Sequence, residues 1–591
     1  MSRNQEKRSL DVIVQYASGA ASRVCGQSHV SDLPNGALCS MTPAAAQALA
    51  QTPAVAHVSV NHKIQSTATS TQPVYDFFPE SLRTKPSSIQ AAQAADLSAG
   101  NNIGVAVIDS GINTTSNDLI NQSGNGRGHS TVIYAQSFVP GDSSVTDFYG
   151  HGTHLAGIIA GDGSNSAGGN YQNDIHGVAP GVNLISLKVL DKNGESTDAV
   201  VISALEWAIK NRLQYNIKVI NMSVGRGVYE SYKVDPLCQE VEKAWLAGIT
   251  VVVAAGNGGR YQTTNGYFTI GAPANDPLVL TVGAMNTRST PGRSDDQMTS
   301  YSSKGPSFGD HVVKPDLVAP GNKIFSIRSP GSTMDTAFPN DIVSLGSLLN
   351  QTNNPKGPSL NYFMLSGTSM SAAAVSGAVA TLLGTDANHD LTPDQVKARL
   401  MKTASKFPPN TRALITDPST GQTFHIVYDI FTVGAGYLNL DAALLSTASN
   451  TIGKDYLAAS PIAVKAGTVQ SGPFKGKLIL HIINDKAMST VWGDSTVWGD
   501  STVWGDSTVW GDSTVWGDSV WQGDSTVWGD STVWGDSTVW GDSTVWGDST
   551  VWGDGGPWGD STVWGDSTVW GDSTVWGDAS VSGAELDGDP M

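Results

Sequence analysis

Five short apolar runs constrain this chain more than any other feature: IGVAVID (103–109), VNLISLKVL (182–190), KVINMSVG (218–225), ITVVVAAGN (249–257) and LVLTVGAM (278–285). Each is of strand length and lacks the polar alternation of a half-exposed strand, so each must be covered on both faces. Helix-length amphipathic stretches lie between them. The stretch STDAVVISALEWAIKNRL places Val201, Leu205, Ile209 and Leu213 on one helical face and offers Ser196 or Thr197 as its start. This alternation predicts an α/β fold over residues 88–447, a mostly parallel sheet flanked by helices. Ligands of such sheets bind beyond the carboxyl ends of the strands.

The flanks differ. Residues 9–65 read as a small α+β unit: the alternating run DVIVQYA, the Ala-rich helical stretch TPAAAQALAQ and a second alternating run, VAHVSVNHKI. A Ser/Thr/Gln segment, STATSTQ, makes residues 66–87 a linker open to proteolysis. A connecting segment, 448–488, leads to a Ser-Thr-Val-Trp-Gly-Asp repeat over 489–578 that holds 15 of the 17 Trp residues, then to an acidic tail, 579–591. In an extended chain an even period keeps Thr, Trp and Asp on one side. That fits a β-solenoid of short strands, or a disordered low-complexity array. The cysteines, Cys25, Cys39 and Cys238, are too few and too odd in number for a disulfide framework, although Cys25 and Cys39 can pair and Cys238 falls on an apolar helix face.

Charge narrows the function classes. Residues 1–487 hold 34 basic against 35 acidic side chains, and the other 18 acids all lie beyond, giving the whole chain its net charge of -19. A near-neutral body with an acidic tail has no electrostatic footprint for nucleic acid. No apolar stretch approaches the roughly 18 residues of a transmembrane span, and the start, MSRNQEKRSLDVIVQYAS, has no signal-peptide apolar core.

Three segments carry chemistry. Asp109, in Val107-Ile108-Asp109-Ser110-Gly111, ends a buried strand. His151 opens the apolar helix of GHGTHLAG, residues 150–157; the two histidines could be read as metal ligands, but with no Glu partner His154 reads better as a packed helix histidine. Ser369 stands in Gly367-Thr368-Ser369-Met370, at the start of a small-residue helix. A Ser there is commonly a cap. Together, though, Asp, His and Ser in this chain order supply a nucleophile, a base and the acid that orients it.

With VIDSGI, HGTHLAG, GTSMS and the AAGN of 254–257 in order, residues 88–447 resemble the catalytic domain of the subtilisin-like serine proteases, the subtilases. The resemblance implies a serine endopeptidase with Asp109, His151 and Ser369 as its triad and Asn257 in the oxyanion hole. It implies substrate contacts from Ser223, Val224 and Gly225, pairing as a strand, and from Ala254, Ala255, Gly256 and Gly271 around the primary pocket. Small residues there leave room for a large apolar side chain, while Glu230 and Asp235 nearby leave a basic preference open. After the nucleophile this chain has Ser371-Ala372-Ala373-Ala374-Val375-Ser376-Gly377, without the Pro and His usual in the family.

By the same resemblance residues 9–65 are an inhibitory propeptide, removed by cleavage between about 64 and 87, with a permanent accessory domain as the alternative. No cofactor is required for the chemistry. Structural calcium is common in the family, but no ligand set is legible: Asp386, Asn388 and Asp390 read better as a loop before the helix start at Thr392, Pro393 and Asp394. The expected partners are protein or peptide substrates and the chain's own propeptide, and the expected location is secreted or on the cell surface. The alternative function is a surface scaffold or adhesive repeat, contacting cell surface, glycan or calcium, whose protease domain mainly processes itself.

Overall fold

Four strands, β1 (Leu10–Tyr16), β2 (His29–Leu33), β3 (Gly36–Met41) and β4 (Val55–Val60), form an antiparallel sheet in the order β2-β3-β1-β4. Helix α1 (Pro43–Ala50), begun by Thr42 accepting the Ala45 N–H, packs against β4. Val12, Val14, Ala37, Cys39, Met41 and Val55 form a small core, and Cys25 is disulfide-bonded to Cys39. A bridge closing a loop of this size contributes about 3 kcal/mol, a large share of what so small a core supplies. Two features depart from the sequence reading. The β2–β3 hairpin was not expected, although Pro34-Asn35, with Asn35 at φ 56°, is the two-residue turn that joins Leu33 to Gly36. The run VAHVSVNHKI is not one strand: the chain leaves the sheet after Val60 and starts a separate strand, β5 (Lys63–Ser66). The break is held by Asn61 and His62, whose side-chain carbonyl and backbone bond the backbone N–H groups of Ala199 and Asp198.

The computed structural model describes residues 9–66, 99–465 and 478–481, apart from 18–23, 122–128, 169, 172–174, 291, 350–356, 386–387, 408–410, 418–420 and 447–457. The 66–87 linker beyond Ser66, the 489–578 repeat and the acidic tail lie outside the described residues.

The main body runs through β6 (Gly104–Asp109), β7 (Val132–Ser137), α2 (His151–Ala160), β8 (Asn183–Lys188), β9 (Glu195–Thr197), α3 (Asp198–Asn211), β10 (Ile217–Met222), β11 (Val224–Gly225), α4 (Pro236–Leu246), β12 (Thr250–Ala254), β13 (Leu280–Asn286), β14 (Gln297–Met298), β15 (Leu317–Pro320), α5 (Thr368–Leu383) and α6 (Pro393–Thr403). Its sheet has the order β14-β13-β12-β10-β6-β8-β7 with β15 beside β13, and every pairing is parallel except that of β14. All five apolar runs are strands of this sheet. Every residue of β6 and β12 is buried, as strands covered on both faces require. Two helix pairs flank the sheet, α2 on α5 and α3 on α4. The order reverses at β6, with later strands added on either side, so the crevice for a ligand opens at its carboxyl end.

Helix α3 begins after Thr197 and buries Val201 and Leu205, but Ile209 is only half-buried and Leu213 is 85% exposed. The helix has ended at Asn211 because the chain must turn through Asn216, at φ 47°, to enter β10. The altered sequence after Ser369 does not loosen α5, all sixteen of whose residues are buried. At α6 the start signals hold: Thr392 and Gln395 form a reciprocal cap with Pro393 in the first turn. Asn388 faces Thr385 and Arg399, at 2.7 and 2.6 Å, and Asp390 is exposed. That does not fit a calcium site; Asp386 is outside the described residues.

Candidate active site

Every residue expected to act lies at the carboxyl edge of the sheet. Asp109 is the last residue of β6 and His151 the first of α2. Asn257 follows β12 by three residues, Ser223 follows β10 directly, and Ser369 is the second residue of α5. Local backbone fixes these positions. Gly150 sits at φ 106°, where a Cβ would press within 2.4 Å of Ser332 Oγ, and a Cβ at Gly152 would meet Gly111 O at 2.3 Å. Only glycine on each side lets His151 approach the end of β6 this closely.

His151 Nδ1 lies 2.8 Å from Asp109 Oδ1, and both side chains are buried. A carboxylate accepts, so Nδ1–H donates to it and Nε2 is the nitrogen left to face the reaction. Among the described residues His151 Nε2 is buried without a hydrogen-bond partner, so the bond to Ser369 Oγ that a triad uses is not formed in this structure. Asp109 Oδ1 also accepts from the Ser110 N–H at 2.8 Å and Ser110 Oγ at 3.2 Å.

Sequence reasoning missed the support around this pair. Asp147 Oδ1 accepts from Ser110 Oγ and the Gly150 N–H, and Oδ2 from the Thr153 N–H and Thr153 Oγ1, all at 2.6–2.8 Å. Burial pushes the Asp147 carboxyl up and these hydrogen bonds oppose it. One carboxylate thus ties Asp109's neighbour to the first turn that carries His151. A carboxylate four residues before a Gly-flanked His is the signal that marks it.

Asn257 is positioned by α5. Its Oδ1 accepts from the Thr368 N–H at 3.0 Å and Thr368 Oγ1 at 3.1 Å, which turns the Nδ2 end the other way. The Gly256 N–H reaches the same Thr368 hydroxyl at 3.1 Å. Ser223 Oγ donates to Ser369 O at 3.2 Å and accepts from Asn221 Nδ2, whose Oδ1 in turn accepts from Ser376 Oγ. The two sides of the expected pocket also converge: Gly271 N–H bonds Ala255 O, and a Cβ at Gly271 would meet Arg226 O at 2.7 Å. Ala254 and Ala255 are buried.

Glu230 and Asp235 are both engaged elsewhere. Glu230 accepts from His57 and Ser59 of the N-terminal unit, at 2.8 and 2.6 Å. Asp235 caps α4 and pairs with Arg226. Between β9 and β11 runs β5, antiparallel to both, with Gln65 opposite Glu195 and Gly225, and Ser66 opposite Val224. Two of the three expected strand-pairing residues, Val224 and Gly225, thus already pair with an extended segment of this chain, and Ser223 stands just before them. Among the described residues no group of three or more His, Cys, Asp or Glu side chains is placed to hold a metal ion, and no helix is long and apolar enough to cross a membrane.

His154 is fully buried, its Nε2–H donating to Ile324 O at 3.2 Å and Phe363 O at 3.1 Å. Burial first, then the neighbouring His151, holds its pKa down at about 3 from 6.5. The folded state therefore rejects a proton that the unfolded chain accepts, so stability is full above about 6.5 and declines as pH falls towards 3. At about 1.4 kcal/mol per pH unit the loss reaches about 3 kcal/mol by pH 4. His154→Gln keeps a donor without that titration. Its unfolding free energy is expected to fall about 3 kcal/mol less than the wild type's between pH 7 and pH 4; equal losses in urea titrations would refute the assignment.

Comparison with known proteins matches residues 100–427 to the subtilase family. Serine protease AprX of Bacillus subtilis is 38% identical over 318 residues, 52% of this chain and 62% of AprX, so the chain spans less than two thirds of that relative. Subtilisin DY of Bacillus licheniformis is 32% identical over 344 residues, 58% of this chain and 91% of that protein. Among solved structures, fervidolysin of Fervidobacterium pennivorans, a keratinolytic enzyme related to subtilisin, superposes with a TM-score of 0.53 at 22% identity, covering 77% of this chain and 64% of that one. The latter likeness shows the fold.

Proposed function

The chain belongs to the subtilase family and is a subtilisin-like serine endopeptidase; from that premise we propose that Asp109, His151 and Ser369 carry the hydrolysis, that Asn257 supports it, and that residues 9–66 restrain it until they are cut away. The observation that carries the reading is the buried His151–Asp109 pair at 2.8 Å, on a helix packed against the one that Ser369 opens.

Ser369 Oγ attacks the substrate carbonyl as His151 Nε2 takes its proton, forming a tetrahedral adduct. Asp109 stabilises the imidazolium and keeps Nδ1 protonated. His151 then gives the proton to the leaving amine, and the acyl-enzyme is opened by water with His151 again as base. The negative oxygen of the adduct is met by the Ser369 N–H and by Asn257 Nδ2, which Thr368 orients. Asn257→Leu removes a donor used only when charge develops, so kcat is expected to fall about 10²–10³-fold with KM little changed, a magnitude that comes from subtilisin itself. A matching rise in KM, seen in initial rates on a chromogenic peptide, would reassign Asn257 to ground-state binding.

Substrate lies where β5 now lies. An extended peptide between β9 and β11 gains backbone hydrogen bonds on both sides whatever its sequence. Ser223 touches the Ser369 carbonyl and stands one residue before Val224, the partner of Ser66. The reading therefore puts self-cleavage just beyond Ser66. The range expected from sequence began at 64, and the pairing of Lys63–Ser66 narrows it. The freed N-terminal unit acts as inhibitor because β5 fills the slot as a substrate would. Location outside the cell or on its surface belongs to the same proposal and agrees with the Cys25–Cys39 disulfide.

The test expresses the full chain beside its Ser369→Ala variant, with and without calcium, and follows intact mass and casein hydrolysis. The reading expects the wild type to lose an N-terminal piece ending between Ser66 and residue 87 while the variant stays intact and inert. Identical behaviour of the two overturns it.

A further inference from the structure

A buried ion pair crosses the slot between β9 and β11. Arg226, immediately after β11, has its side chain 2% exposed; Nε donates to Asp198 Oδ1 at 2.8 Å, and Nη2 to both oxygens of Asp235 at 2.8 and 2.9 Å. Asp198, the first residue of α3, immediately follows β9. The Arg226–Asp198 bond therefore joins the end of one wall of the slot to the end of the other. Arg226's backbone also exchanges hydrogen bonds with Ala272, at 3.0 and 2.8 Å, next to Gly271 of the expected pocket, while Asp235 caps α4. One residue thus connects β11, the start of α3 and the start of α4 and, through its backbone, the pocket.

A strand inserted between two others needs its neighbours two strand spacings apart, about 9.6 Å. When β5 leaves, β9 and β11 have no strand between them to set that distance. Walls that drift inwards exclude the peptide, and walls that drift apart bond it on one side only. We propose that Arg226 is a positioning residue for substrate, its bond to Asp198 holding the slot at the width of one extended peptide. Asp235 holds the guanidinium from behind, and its bidentate geometry lets the planar fork reach both acids at once. The inference rests on the reading above that β9 and β11 border the substrate.

The role predicts a dependence on substrate length. A single-residue ester meets Ser369 and the primary pocket but not the walls, whereas a blocked peptide with four residues before the scissile bond uses both walls without reaching the position of His62, which Asp198 contacts directly. Arg226→Gln and, separately, Asp198→Ala are made in the full chain, and steady-state rates are measured on both substrates after maturation. Both variants are expected to raise KM for the peptide about tenfold with kcat within about twofold, and to leave both constants for the ester within about twofold. A parallel fall on ester and peptide would mean a structural role only, and an unchanged peptide KM would mean no role; either overturns the proposal. If Arg226→Gln does not accumulate as folded protein, Asp198→Ala decides alone, because there Arg226 keeps its pair with Asp235. Failure of the underlying reading looks different: the wild type itself would gain nothing from four residues over one.

Discussion

With alanine at position 369, and residues 9–66 cut away by added wild-type enzyme, kcat on peptide substrates is expected to fall about 10⁶-fold while KM stays close to the wild-type value, the size of loss found in subtilisin itself. On the proposed mechanism the hydroxyl is the bond-forming group, and the side chain is small and buried in a helix of small residues, so its removal leaves the fold in place. What remains is attack by water, helped by the Asn257 amide and the Ser369 backbone N–H, which alanine retains; such residual sites still exceed the uncatalysed reaction by about 10³–10⁴-fold. Titration of both forms with a serine-directed phosphonate separates the explanations. The wild type should be stoichiometrically labelled and the variant not at all. A variant that still turns over peptide within about tenfold of wild type would remove Ser369 from the chemistry.

Asp109→Ala is expected to cost about 10⁴-fold in kcat, again with KM little affected. His151 loses the acceptor that fixes Nδ1–H, so its ring turns and its tautomers mix. The imidazolium of the transition state also loses the negative charge 2.8 Å away, in a site shielded from water. Because the three side chains act as a unit, adding Asp109→Ala to Ser369→Ala should cost almost nothing further, and stopped assays on the double variant check this. An additive loss near 10¹⁰-fold would mean that the carboxylate acts apart from the nucleophile.

The sheet was legible because its strands are covered on both faces, which leaves continuous apolar runs of strand length that alternate with helix-length amphipathic stretches. The residues proposed as the triad stood out because each sits in its own short, glycine-marked motif. Their supports did not. Thr368, Asn221 and Arg226 act on partners from 2 to 155 positions away, and nothing in the local pattern distinguishes them from surface polar residues until the fold brings them together, while Asp147 is marked only by its spacing from the Gly-flanked His151. The same limit explains the misread end of α3. Leu213 continues the helical spacing, but the chain's need to turn into β10 outweighs one apolar contact. In VAHVSVNHKI, alternation continued across Asn61 and His62 while the chain passed from one sheet to another. Periodicity reports which face is buried and not against what.

The two walls of the slot are very short, three residues in β9 and two in β11, and β5 is the strand that lies between them. An open sheet edge invites any other edge to join it, and brevity is one defence. These edges expose too few donors and acceptors to hold a rigid sheet from another protein, whose next strand would collide with the opposite wall. What fits is a single chain with both its sides unoccupied. If substrate takes the place of β5 as proposed, a target's native hydrogen bonds must open locally before it can be gripped, so loops, frayed termini and denatured proteins are the expected first targets and a well-packed neighbour is spared by its own folding.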